Sequence, residues 1–161
     1  KEIINKMKGH YDYGFSARFQ KNSDCILASS NQDYSARIWD LRKLKEESSI
    51  NFNRFDPLYY NYDGINIANN NEGPCLKTYF GVSNSIGDVK FVEREFLVLL
   101  ENSYNVHIVN MRDDTMQTIK YIGQGIGIDY HENSSKLYFA LYQYNYSGIY
   151  AYKKISNFID C

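Results

Sequence analysis

The chain has 161 residues, 43% of them hydrophobic, a length and composition that suit one globular domain. Its 18 Lys and Arg residues nearly balance its 19 Asp and Glu residues, so no broad basic surface favours nucleic acid as a partner. No apolar run approaches the ~20 residues of a membrane-spanning helix. The start, KEIINKMKGH, lacks the apolar core of a signal peptide.

Three cysteines, Cys25, Cys75 and Cys161, lie far apart in the sequence. This spacing fits neither a disulfide framework nor a paired metal site, and it favours a reducing compartment, the cytoplasm and/or the nucleus. Because the sequence starts at Lys1 and not at Met, we expect the intact protein to have an upstream portion.

The chain consists mainly of short runs rich in β-branched and aromatic residues, separated by polar turn clusters. In chain order the runs are FSARF, CILAS, SARIWDL, DVKFV, FLVLL, VHIVNM, GIGIDY, KLYFALY and GIYAY. Their period is close to two, which predicts β-strands, and the turns between them predict an antiparallel meander. The sequence therefore predicts an all-β protein.

The order of strands and turns repeats three times. The best-defined unit is 9–44, and degenerate second and third units are predicted over 75–122 and 123–154. Matching points of the last two units are about 40 residues apart, a period typical of the blades of a β-propeller.

One long segment interrupts this period. Residues 45–74 are rich in Asn and Tyr, and we expect a flexible insertion there. Two runs compete to be the fourth strand of the first unit, SINFNRF within the insertion and PCLKTYF at 74–80, and the sequence leaves both open.

The first unit begins with Gly9-His10, has the turn NQD at 31–33 and ends with SARIWD at 35–40. These features resemble a WD40 repeat. The resemblance implies a buried hydrogen-bonded tetrad of His10, Asp33, Ser35 and Trp39. Such a network suits these residue types, because indole and hydroxyl groups need partners once they are buried. It also explains a His, Ser and Asp together without a catalytic triad.

The resemblance implies that residues 1–161 form a partial or open WD40-type β-propeller of about three blades with one long inserted loop. More loosely, the order of motifs is similar to the last blades of an uncharacterised group of eukaryotic WD-repeat proteins, a resemblance that brings no activity with it. Propellers usually close with about four to eight blades. We therefore expect further blades from the rest of the same chain, or several copies in a ring.

The other units keep the strand pattern without the tetrad. Aligned on its turn, the second unit has Ser103 in the place of Asp33, Asn105 in the place of Ser35 and Val109 in the place of Trp39. The third unit places Tyr152 where Trp39 stands.

Other candidate motifs have structural explanations. The glycines of GQGIGID, residues 123–129, lack the helix that a dinucleotide loop requires, so we expect strand packing or a bulge. His107 and His131 have no second ligand at metal spacing. We predict no cofactor, metal or catalytic residue.

These observations favour a non-catalytic scaffold for protein–protein interaction, with a protein partner whose identity the sequence does not give. The candidate contact residues lie in loops beside the tetrad and in the matching turn of the second unit, where aromatic side chains suit an interface. They are Tyr11, Tyr13, Gln32 and Tyr104. The alternative is an enzyme or small-ligand binder with its site in the central channel.

Overall fold

The computed structural model describes residue 7 and residues 9–44, 74–121, 123–143 and 146–153. Within these ranges the backbone forms eleven β-strands in three antiparallel sheets, with two short 3-10 turns. No helix of the described residues has the length and apolar character needed to cross a membrane. The predicted all-β architecture is confirmed.

The first sheet contains four strands in their order along the chain. They are β1 (Gly14–Phe19), β2 (Ile26–Asn31), β3 (Ser35–Asp40) and β4 (Cys75–Phe80). Consecutive strands are antiparallel neighbours, as expected for one propeller blade.

The second sheet repeats this arrangement, and the third has three strands among the described residues. The second contains β5 (Ile86–Val92), β6 (Phe96–Glu101), β7 (Asn105–Asn110) and β8 (Met116–Lys120). The third contains β9 (Gln124–His131), β10 (Lys136–Gln143) and β11 (Tyr146–Lys153).

The position of β4 decides which run is the fourth strand of the first blade. PCLKTYF supplies it, because Cys75–Phe80 pairs with β3. The predicted start of the second blade at residue 75 is therefore wrong, since its sheet begins at Ile86. The rival run SINFNRF and the proposed flexible insertion, except Pro74, lie outside the described residues.

The sheets stack face to face through two apolar layers. β6 lies in the middle sheet with all six of its residues buried, which explains why FLVLL is continuously apolar instead of alternating. Between the first and second sheets, Ala28 and Ile38 pack with Leu97 and Leu99. The layer between the second and third sheets includes Val98, Leu100, Ile108, Leu137 and Phe139.

The connections of each sheet lie at the two ends of its strands, because a meander turns alternately at one end and the other. We call these two ends the upper edge and the lower edge. The upper edge carries the segments before the first strands and the turns between second and third strands. Its described residues are 9–13, 32–34, 81–85, 102–104, 121 and 123. The lower edge carries the other turns, at 20–25, 41–44, 74, 93–95, 111–115 and 132–135.

The connection from β3 to β4 closes like the tight turn of the second blade, despite its length. The Asp40 amide donates to the Pro74 carbonyl at 2.7 Å, and the Asn110 amide donates to the Thr115 carbonyl at 2.8 Å. The amide of the next residue, Leu41, is also hydrogen-bonded at this end of the connection. It donates to the carbonyl of Cys25, in the turn between β1 and β2, at 2.8 Å. The first blade is thus closed by local hydrogen bonds at both ends of its long connection.

This match predicts that the long connection is dispensable for folding. Replacing residues 41–74 with the tight turn Met111–Thr115 shortens the connection several-fold and lowers the loop-closure entropy cost by about 2 kcal/mol. We expect a higher midpoint in urea unfolding, with an unchanged β-sheet circular dichroism spectrum. A five-residue glycine replacement of the same segment is the control, and loss of cooperative unfolding in the turn graft would contradict the assignment of β4.

Candidate functional site

His10 and Trp39 meet at the upper edge of the first blade through an intervening serine. His10 Nδ1 lies 3.1 Å from Asp33 Oδ2, and His10 Nε2 lies 2.6 Å from Ser29 Oγ. Trp39 Nε1 donates to the same Ser29 oxygen at 2.8 Å. A continuous chain of hydrogen bonds therefore runs from Trp39 through Ser29 and His10 to Asp33.

The chemistry of its two ends gives this chain a direction. Indole nitrogen only donates and carboxylate oxygen only accepts, so each group is satisfied when protons point from Trp39 toward Asp33. In that arrangement Ser29 donates to His10 Nε2, and the ring proton of His10 lies on Nδ1 and is donated to Asp33. Every polar group in the chain then has a partner, which makes its burial affordable.

The structure corrects the predicted tetrad at one position. The resemblance implied Ser35 as the hydroxyl of the tetrad, and this hydroxyl donates to Asp33 Oδ1 at 2.5 Å and lies 3.2 Å from His10 Nδ1, but Ser29 provides the link to Trp39. The register could have revealed this, because Trp39 pairs with Leu27 and Ser29 lies two residues further along β2. Residues two apart in a strand share a face, so Ser29 and Trp39 lie on the same side of the sheet.

Asp33 also anchors the backbone on both sides of the site. Its carboxylate accepts the Tyr11 amide at 3.0 Å and the Ser35 amide at 3.0 Å. Burial opposes its ionisation, but these hydrogen bonds and the one from His10 outweigh that effect. They hold the pKa of the Asp33 carboxyl below its usual value.

Gly9 is required by the packing of the tryptophan. Trp39 is only 1% exposed, and a Cβ atom at residue 9 would lie 2.9 Å from its Cη2 atom. The His10 and Trp39 rings approach edge to face with centroids 5.9 Å apart. The Gly-His pair at the start of the repeat thus combines close approach with a hydrogen-bonding ring.

Three of the four predicted contact residues are exposed, and one is not. Tyr13 is 76% exposed, Tyr104 is 61% exposed, and Gln32 is exposed in the turn between β2 and β3. Tyr11 is half-buried, with its ring centroid 6.0 Å from the Arg37 guanidinium carbon. Tyr11 is thus less accessible than the other three candidates, because its amide is held by Asp33 and its ring lies beside Arg37.

Two further apolar side chains lie exposed on the same edge. Tyr34 is 48% exposed and Val82 is 59% exposed. Tyr34 and Tyr104 occupy matching places, because each carbonyl accepts the amide that follows the fourth strand of its own sheet, from Gly81 and Tyr121 respectively. Aligning the two turns would have identified Tyr34 from the sequence. We call Tyr13, Tyr34, Val82 and Tyr104 the tyrosine surface.

The second blade replaces the tetrad residues as the alignment predicts. Val109 pairs with Leu97 as Trp39 pairs with Leu27. The Ser103 hydroxyl and the Asn105 amide group both donate to one carboxylate oxygen of Glu101, each at 2.7 Å. No sequence motif singles out Glu101.

The remaining motifs have structural roles. GQGIGID forms most of β9, where a Cβ at Gly125 would overlap the Leu100 side chain. His131 is exposed and contacts Ser134 within a turn at 2.8 Å. In the part of the chain that the structure describes, His, Cys, Asp and Glu form no group of three that could hold a metal.

The first strand of each blade, β1, β5 or β9, is its inner strand. Charged side chains on these three inner strands pair with each other across the blades. Arg18 lies 3.4 Å from Asp88, and Lys90 lies 2.6 Å from Asp129. The Lys90 ammonium holds the pKa of the Asp129 carboxyl below its usual value. Asp88 also accepts the Ile128 amide at 3.2 Å. These charges therefore join neighbouring blades.

Comparisons with known proteins identify the fold to which this architecture belongs. No family model matches the chain, and no curated protein matches it. The β-propeller domain of Cps50 (Swd1) from Myceliophteria thermophila matches with a TM-score of 0.61 and 16% identity, covering 92% of this chain and 41% of that chain. A chain of the Mitotic Checkpoint Complex matches with a TM-score of 0.67 and 13% identity, covering 96% and 40%.

The C-terminal WD40 domain of Sif2 also matches, with a TM-score of 0.61, 14% identity, and coverage of 93% of this chain and 34% of that chain. The chain thus has the WD40 β-propeller fold, in the form of a partial propeller, and spans well under half the length of these structures.

The hydrogen-bonded chain predicts a ranking of three substitutions. Trp39→Ala removes a large buried side chain and should cost about 3–5 kcal/mol of unfolding free energy. Ser29→Ala leaves two buried polar atoms without a partner and should cost about 1–3 kcal/mol. Ser35→Ala leaves the chain from Trp39 to Asp33 intact and should cost less. Urea unfolding measures all three, and a Trp39→Ala protein that melts within a degree or two of the parent would refute the structural role.

Proposed function

We propose that the protein is a non-catalytic scaffold that binds another protein through the tyrosine surface on its upper edge. The distribution of charge supports this choice of edge. The upper-edge residues that the structure describes include no Lys or Arg and only two carboxylates, Asp12 and Asp33, whereas the described lower edge carries charge in every turn. Its charged side chains are Lys21, Asp24, Arg42, Lys43, Glu93, Arg94, Glu95, Arg112, Asp113, Asp114 and Glu132.

The composition of the upper edge also suits protein recognition. Interface cores are depleted in charged residues and enriched in tyrosine, which gives a large contact area at a low cost in side-chain entropy. The loops around the exposed tyrosines are rich in Ser and Asn residues whose side chains hydrogen-bond within the loops, among them Ser83, Asn84, Asn102 and Ser103. Because the described residues of this edge include no Lys or Arg, it is a poor site for the phosphates of nucleic acid.

The paired charges on the inner strands offer no specific support for the alternative function. A catalytic or ligand-binding channel would use unbalanced charged groups that face the opening. Instead, Arg18, Asp88, Lys90 and Asp129 pair with each other. We therefore favour the interaction surface over the channel.

We propose further that the three blades are completed by additional blades from the rest of the same protein. Equivalent residues in successive sheets support this. Phe91 is 6% exposed and Val89 is fully buried where the first sheet covers them. Their counterparts in the first sheet, Phe19 and Ala17, are exposed, and Phe19 is 58% exposed.

The outer face of the third sheet shows the same contrast. Ile149 pairs with Ala140 and is 78% exposed, and Tyr142 is 51% exposed. The opposite face of that sheet, with Phe139 and Leu141, packs on the second sheet. From the sequence we also expect apolar flanks near Ile3 and near Tyr150 or Tyr152, whose side chains lie outside the described ones.

The scaffold proposal predicts which substitutions weaken binding. Peptides selected on the protein from a random displayed library are the probe. Tyr34→Ala and Tyr104→Ala should each weaken binding of these peptides at least tenfold, about 1.4 kcal/mol, because interface aromatics dominate affinity. Arg112→Ala on the lower edge is the control and should change nothing. If Asp129→Asn on an inner strand weakens binding and the tyrosine variants do not, the peptides bind at the inner strands and the tyrosine surface is the wrong site.

The proposal of further blades predicts poor behaviour of these 161 residues alone. Size-exclusion chromatography with light scattering should show aggregation or oligomers, since exposed apolar flanks associate. Phe19→Lys combined with Ile149→Lys should reduce this association, whereas Gln117→Lys on β8 should not. A monomer that melts cooperatively would show that no further blades are needed.

A further inference from the structure

Glu101 is the most completely enclosed carboxylate among the described residues, and it lies in the blade that lacks the tetrad. Its side chain is 0% exposed at the end of β6. The register pairs Glu101 with Ile86 as it pairs Asn31 with Gly14. Glu101 therefore stands at the entry to the upper-edge turn of its blade, where the first blade has an asparagine.

The groups that donate to Glu101 come from both upper-edge loops of its blade. From the loop before β5, the Val82 amide donates, as do the Ser83 amide at 3.1 Å and the Ser83 hydroxyl at 2.8 Å. From the turn after β6, Ser103 and Asn105 donate. One side chain thus fixes two loops that are far apart in the sequence.

A buried histidine supports Glu101 from the sheet. His107 Nε2 lies 3.1 Å from Glu101 Oε1, and both side chains are 0% exposed. On its other side, His107 Nδ1 lies 2.8 Å from the Thr118 hydroxyl on β8. The contacts run from the outer strand of the blade to the loops at its upper edge. His107 is thus a cross-strand residue.

The surrounding donors keep the Glu101 carboxylate ionised. Burial alone would raise its pKa, but the adjacent His107 ring and the hydrogen bonds from Ser103, Asn105 and the other donors outweigh burial and place the pKa well below its usual range. Charge-assisted hydrogen bonds of this kind are stronger than neutral ones. The two loops are therefore held firmly.

Glu101 holds the backbone of residues whose side chains face outward. Val82 donates its amide to Glu101 while its side chain is 59% exposed. Tyr104 lies between two residues that donate to Glu101, and it is 61% exposed. These are the two members of the tyrosine surface that belong to the second blade. Asp33 holds the loops of the first blade in the same way.

We propose that Glu101 is a positioning residue that preorganises Val82 and Tyr104 for an uncharged, apolar segment of a protein partner. Holding these loops in one conformation before binding removes an entropy cost that binding would otherwise include. The chemistry of the partner follows from the surface, which presents tyrosine rings and an aliphatic side chain. The described residues of the upper edge include no Lys or Arg that would bind an acidic segment. This inference rests on the proposed scaffold function.

The test compares peptide affinity with loop exchange in the same variants. Glu101→Gln should weaken the peptides selected on the parent about tenfold and accelerate hydrogen exchange of the Val82 and Ser83 amides. Selected peptides should be enriched in apolar residues and poor in acidic ones. Asp113→Asn, a carboxylate change in a lower-edge turn, is the matched control and should alter neither measurement.

Ser83→Ala provides a second variant in case Glu101→Gln does not fold. It removes one donor at an exposed position, and we expect binding about two- to threefold weaker with faster exchange at residues 82–84. Faster exchange with unchanged affinity would overturn the positioning role and leave the scaffold function standing. If Tyr34→Ala and Tyr104→Ala also leave the affinity unchanged, the scaffold surface itself is wrong.

Discussion

The hydrogen-bonded chain from Trp39 to Asp33 is the constraint on which the first blade depends. An indole, a hydroxyl, an imidazole and a carboxylate would each be costly to bury alone. Linked through Ser29 and His10, they satisfy one another and fix the segment before β1 against the turn between β2 and β3. The strand register, the packing of the tryptophan and the exposure of Tyr13 follow from that connection.

The second blade solves the same problem with different residues. Glu101 holds its two upper-edge loops from the end of a strand, whereas Asp33 holds those of the first blade from within the turn. Both are buried or largely buried carboxylates that accept backbone amides. A repeat that lacks the tetrad motif can therefore still hold its two upper-edge loops together.

The sequence predicted the architecture well because its signals are local. Alternating apolar runs, turn clusters and the match of 9–44 to a WD40 repeat predicted strands, blades and the meeting of His10 with Trp39. Ser29 was missed, because the pattern supplies a hydroxyl at Ser35 and only the register shows which serine lies beside the indole. The role of β4 required pairing across a long connection, which spacing alone does not reveal. Glu101 and His107 match no motif, so only their burial and contacts identify them.

The hydrogen exchange of the single tryptophan indole tests this account most directly. The chain has one Trp, so a ¹H–¹⁵N correlation spectrum of the protein contains one indole N–H signal. If Trp39 donates to Ser29 in a buried chain, this proton should exchange slowly with solvent, and Ser29→Ala should accelerate its exchange by at least tenfold while Ser35→Ala has little effect. An indole proton that exchanges as fast as that of a solvent-exposed tryptophan would contradict the account, as would an exchange rate that Ser29→Ala does not change.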